Sequence, residues 1–185
     1  MKRELTMIKN TTQAYGWVAI TLHWVMALGV FFMFGLGLYM VELSYYDAWY
    51  KGSLDLHKSI GIVLFVLWCI RLIWRLVNLR PVLLETKTPF QRFEQVMAHC
   101  MHLALYGFLI ALMFSGYLIS TADGRSISVF DIFDVPAVSA LVEQQEDVAG
   151  EIHYILAWCV LVMVVVHALA ALKHHLQRPV MYFYL

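Results

Sequence analysis

Four histidines, at positions 23, 57, 153 and 167, lie within or at the edge of long apolar runs. An imidazole surrounded by hydrocarbon is costly, so it faces a bundle interior and serves there as a metal ligand, a proton carrier or a hydrogen-bonding group. In "EIHYILAWCVLVMVVVHALAALKHH", His153 and His167 stand fourteen residues apart. On a helix that interval returns to within ~40° of the same face and climbs ~21 Å. The two rings therefore look the same way from different depths. The same interval separates His57 from Arg71 and His23 from Gly37. Each run thus offers an imidazole at one level and something else at the other. A glycine leaves room for a flat group, and an arginine can meet a carboxylate.

The elements that must position these rings follow from composition. Of the 185 residues, 62% are hydrophobic, and the mean hydropathy is +0.71. Soluble domains sit nearer ~45–50% apolar, so the excess points to a membrane protein. Four runs, over 17–41, 56–77, 97–120 and 152–172, are long enough to cross a bilayer, which takes ~20 helical residues. Each must be helical, because hydrocarbon offers no partners to an open backbone. The expected fold is all-α, an integral membrane four-helix bundle forming a single domain over 1–185. The first apolar run is too long, and its start is not a short h-region, so no cleavable signal is expected. Cys69, Cys100 and Cys159 sit in apolar runs and read as free thiols. No C-x-x-C-H occurs, which excludes covalent c-type haem attachment. The formal net charge is zero, so no nucleic-acid partner is expected.

Charge gives the direction. Lys2, Arg3, Lys9, Arg71, Arg75, Arg80, Lys87, Arg92, Lys173 and Arg178 fall on one side of the spans. Lys51, Lys58 and Arg125 fall on the other, with most of the acids. Ten basic residues against three place both termini in the cytoplasm of a bacterial inner-membrane protein. Tyr45, Tyr46, Trp49 and Tyr50 form the outer aromatic belt. Residues 121–151 make a large outer loop, a candidate lid, with a turn at Asp123-Gly124 and a short surface helix expected over 139–147.

With that direction, the depths pair. His57 matches His153 at the outer level, and His23 matches His167 at the inner one. Taken singly, each histidine fits a hydrogen-bonded place in a bundle. Four that match pairwise fit two iron sites, each with two axial imidazoles and a flat haem between helices, which leaves no open position for oxygen chemistry. A single zinc site fits worse, since the pairs lie too far apart for one tetrahedral set. A proton relay stays open. His99 and His102 share a face at the cytoplasmic start of the third span, and His174 and His175 follow the fourth.

The stretches "TLHWVMA", "LHKSIGI", "RLIWR", "HLALYGFLIALMFSGYLIS" and "HYILAWCVLVMVVVHALAALKHH" resemble the prokaryotic cytochrome b-561 family of di-haem four-helix membrane cytochromes. A more distant resemblance runs to the cytochrome b subunits of hydrogenases and formate dehydrogenases. "SGYLISTADGRSISVF" is close to one branch, near the superoxide oxidase type. The resemblance implies two haem b groups, with His57 and His153 ligating the outer one and His23 and His167 the inner one. It implies that Arg71 and Arg75 meet haem propionates or line a quinone site, and that Lys58 meets outer propionates or an anionic substrate. His102 matches a third-span histidine of the family. The implied activity is transmembrane electron transfer between the quinone pool, with ubiquinone as acceptor or donor, and a periplasmic-side redox partner. Alternatives are superoxide oxidation coupled to quinone reduction, or a membrane-anchor subunit of a larger redox complex whose acidic outer loop docks a basic partner. Acidic outer loops repel superoxide at long range, so that role requires Lys51, Lys58 and Arg125 to form a local basic funnel.

Overall fold

A computed structural model describes residues 8–79, 81, 88–138 and 140–177. Four helices dominate it: α1 (Trp17–Val41), α2 (Tyr50–Val77), α3 (Pro89–Ser120) and α4 (Gln145–Gln177). All four are long and apolar enough to cross a membrane. Their large side chains are widely exposed, Leu28, Phe32, Val66, Leu103, Ile155 and Leu169 among them. That is the surface a chain bathed in lipid presents, since lipid makes no demand that apolar groups turn inward.

The first helix begins and ends as the hydropathy of 17–41 predicts. The other three extend past their apolar cores by a turn or more. Lys51, Ser53 and Asp55 are helical ahead of the second apolar run, and Ser53 donates its hydroxyl to the Tyr50 carbonyl. Helix α3 starts at Pro89 behind a reciprocal cap. Thr88 Oγ1 accepts from the Gln91 amide at 3.2 Å, and Gln91 Oε1 accepts from the Thr88 amide at 3.3 Å. Residues 141–144 run in bends and turns, and Gln145 already belongs to α4, so no separate surface helix forms over the described part of 139–147. Arg80, Lys87, Lys2, Arg3, Arg178 and Ser139, and the side chains of His174 and His175, lie outside the described residues.

Between α3 and α4 the chain makes an antiparallel hairpin, β1 (Ile127–Val129) and β2 (Phe133–Val135), in register Ile127↔Val135 and Val129↔Phe133. Its tip carries Phe130 and Asp131 with φ of 52° and 57°. Such values are uncommon for a bulky side chain and are held by surrounding contacts. Here the contact is Ser59, on α2 two residues past His57. Its hydroxyl accepts from the Phe130 amide at 3.1 Å and donates to the Ser128 carbonyl at 3.4 Å. Tyr117 donates to the Pro136 carbonyl at 2.7 Å, which ties the strand exit to α3.

Packing joins the helices in two pairs, α1 with α2 and α3 with α4. Gly29 lets α1 approach α2, because a Cβ there would lie 2.7 Å from Leu64 Cδ2. Contact between α1 and α4 is sparse. One end of the bundle, called here the hairpin end, carries the β-hairpin. The other, the terminal end, carries the chain entry and exit. There Asn10 bonds the Leu79 carbonyl at 2.8 Å and accepts from the Gly16 amide at 2.9 Å, pinning the entry segment to the exit of α2. The three cysteines are unpaired.

Candidate functional site

The fourteen-residue intervals meet level with level. At the hairpin end the rings of His57 on α2 and His153 on α4 have centroids 6.3 Å apart with planes at 69°. At the terminal end His23 on α1 and His167 on α4 are also 6.3 Å apart, with planes at 70°. Two imidazoles on opposite sides of one metal ion should be separated by about 6.2 Å. Each side contributes a metal–nitrogen bond of ~2.0 Å and ~1.1 Å from nitrogen to ring centre. Both pairs match that spacing, and each bridges two helices that are not tightly packed on one another. The residues present therefore fit a haem held by two histidines at either level.

Glycines leave room for the rings. A Cβ on Gly37 would lie 3.6 Å from His57 Cε1, and one on Gly116 would lie 3.1 Å from His153 Cε1. Gly37 thus serves the hairpin-end pair, fourteen residues along α1 from its own helix's histidine. Arg71 does the same at the terminal end, where its guanidinium lies 2.8 Å from His23 Nδ1. Arginine can only donate, so Nδ1 accepts in this contact. Ligation of a metal through Nε2 needs Nδ1 to keep its proton. His23 can therefore act as a ligand only when Arg71 turns off Nδ1, which a nearby carboxylate would favour.

His102 joins the terminal-end group at a centroid distance of 5.1 Å from His167. That is about 1 Å too short for a metal between the two rings, so spacing favours His23 over His102 as the partner of His167. Among the described residues no cluster of three or more His, Cys, Asp or Glu side chains could hold a bare metal ion. Arg71 and Arg75 both lie over the Tyr106 ring, at 5.7 and 5.1 Å, and Trp68 meets the same ring at 6.0 Å. The indole N–H groups of Trp68 and Trp74 are buried without a hydrogen-bond partner. The terminal end is thus rich in donors and cations.

Lys58 follows His57 on α2 and is half-buried. Arg125 pairs with Asp123 at 3.3 Å, so part of the basic funnel that superoxide would require is neutralised. Sequence reasoning missed Tyr106, Trp68, Trp74, Ser115 and the carbonyl of Leu112. Ser115 was within reach, since it stands beside Gly116 in the quoted "SGYLIS" stretch. The Leu112 carbonyl was not, because a backbone oxygen has no residue signature.

A family model described as prokaryotic cytochrome b561 matches residues 14–182. Cytochrome b561 homolog 2 of Escherichia coli (strain K12) is 50% identical over 166 residues, which cover 90% of this chain and 87% of that protein.

Proposed function

The chain belongs to the prokaryotic cytochrome b561 family, and on that footing we propose that it conducts electrons through two b-type haems between the quinone pool and a redox partner on the periplasmic side. Family membership and the four spans together make it a multi-pass inner-membrane cytochrome that transfers electrons with b-type haem. The observation that carries the finer reading is the repeated 6.3 Å spacing of two histidine pairs at two levels of one bundle.

Bound haem supplies a one-electron iron couple at each level. His57 and His153 would hold the iron at the hairpin end, and His23 and His167 would hold it at the terminal end. With an imidazole from each of two histidines, the sites would favour electron transfer over oxygen chemistry. Arg71 and Arg75 would meet the carboxylates of the terminal-end haem, or a quinone carbonyl beside it. Lys58 is the cation nearest in sequence to the hairpin-end pair. The terminal end lies in the cytoplasm and the hairpin end in the periplasm, as the excess of Lys and Arg around the termini supports. The 121–151 segment then forms the periplasmic face on which a partner docks.

Haem stoichiometry tests this reading. The purified protein should hold two haems per chain by pyridine haemochrome. His57→Ala should lose the hairpin-end haem alone and His23→Ala the terminal-end haem alone. One haem in the wild type, or loss of both or neither in His57→Ala, would refute the pairing. Added ubiquinone should reoxidise the reduced protein, and failure to do so would remove quinone from the scheme.

A further inference from the structure

Helix α3 donates no ligand to either ring pair, yet its Ser115-Gly116 step forms the wall behind His153. His153 Nδ1 lies 3.0 Å from the Leu112 carbonyl and 3.1 Å from Ser115 Oγ. A carbonyl only accepts, so Nδ1 must carry a proton. Ser115 has already committed its own hydrogen, donating to the same Leu112 carbonyl at 2.8 Å. Its oxygen is left to accept, and the Nδ1–H is shared between two acceptors. With Nδ1 protonated, the lone pair of a neutral ring sits on Nε2, the nitrogen a metal would use. Ser115 is only 5% exposed, so water does not compete for this bond.

Gly116 fixes the ring's position as well as its tautomer. A Cβ there would come within 3.1 Å of Cε1 and 3.3 Å of Nδ1, closer than ordinary van der Waals contact. The opposite ring has no such seat. His57 Nδ1 is buried without a hydrogen-bond partner, and Gly37 stands off at an ordinary 3.6 Å. At the terminal end the group against His23 Nδ1 is a donor.

We propose that Ser115 and Gly116 are positioning residues that fix the tautomer and plane of His153, which makes it the rigid ligand of the hairpin-end haem and His57 the adjustable one. The inference rests on the two-haem reading above, and two measurements keep their fates apart. The first is electron paramagnetic resonance of the oxidised, haem-loaded protein. The g values of a low-spin haem follow the angle between its imidazole planes; the two pairs cross at 69° and 70°, so the hairpin-end signal is read in a His23→Ala background and the terminal-end one in a His57→Ala background. Ser115→Ala should shift the hairpin-end signal and leave the terminal-end one in place. Ser115→Thr, which keeps the hydroxyl, should restore it. Gly116→Ala should shift the same signal. The second is nitrogen-15 histidine NMR of the reduced protein, which should find the Nδ1–H of His153 hydrogen-bonded and exchanging more slowly than that of His57, with the difference reduced in Ser115→Ala. Ser115→Ala leaving both signals unmoved, or moving both alike, overturns the proposal. So does a His153 Nδ1–H that exchanges as fast as that of His57. A single haem in the wild type would instead sink the two-haem reading, and exchange of the His153 Nδ1–H would still decide for or against the seat.

Discussion

Replacing Arg71 with glutamine removes one positive charge beside the terminal-end rings and keeps most of the side chain's bulk. The guanidinium lies 2.8 Å from His23 Nδ1. Crossing the ring and one metal–nitrogen bond adds ~4 Å; ligation through Nε2 turns the guanidinium off Nδ1, and within that side-chain reach its charge stays about 7 Å from the iron. At an effective dielectric of ~20, a unit charge at that distance is worth about 2.4 kcal/mol, or roughly 100 mV for a one-electron couple. A positive charge favours ferrous over ferric iron, so the substitution should lower the terminal-end midpoint by about 100 mV. The sign holds with Arg71 turned from His23 to a haem carboxylate, because the carboxylate left unpaired by the substitution also favours the ferric state. The hairpin-end site is ~21 Å away along α4 and should move by less than a third as much. Spectroelectrochemical titration of the two-haem protein reads both midpoints, and the same titration in a His57→Ala background isolates the terminal-end one. An unchanged or raised terminal-end midpoint, or equal shifts of both, would refute the placement of Arg71's charge.

Three further outcomes follow from the geometry. His102→Leu should keep both haems, since its ring is too close to His167 for a metal between them; loss of the terminal-end haem would make His102 the ligand in place of His23. Ser59→Ala removes the acceptor for the strained Phe130 amide, and a lost hydrogen bond of ~1–1.5 kcal/mol should speed exchange of that amide about tenfold. Unchanged exchange would mean that the hairpin is held by other contacts. Between α1 and α2, the Ser44 hydroxyl and then the Ser44 amide hold the Asp47 carboxyl below its ordinary range, each at 2.7 Å from Oδ2. A depressed folded value means that this turn is fully in place above the ordinary carboxylate range and loosens as pH falls through the folded value. Titration of the carboxyl by NMR should move up in Ser44→Ala, and an identical curve would dismiss the bond.

What the sequence disclosed and what it hid divide along a physical line. Spans, their number and the pairing of ring depths rest on side-chain type and helical period, so 17–41 and the fourteen-residue intervals were legible. Helix ends were less so. Lys51, Asp55, Glu146 and Asp147 are polar and end an apolar run, but a helix at a membrane surface needs only its backbone bonds and continues through them. The β-hairpin escaped because three-residue strands offer too short an alternation to separate from loop. Arg71 was legible as a cation at the terminal-end level. Its contact with the ring of His23 was not, because sequence orders residues by depth and leaves open which neighbour a long side chain meets. The same limit explains the difference between the two ends. His153 rests on two acceptors, one of them a backbone carbonyl, whereas His23 faces a donor. Two histidine pairs with the same spacing and nearly the same crossing angle therefore sit in opposite electrostatic surroundings, set less by the ligands than by the helices α2 and α3 behind them.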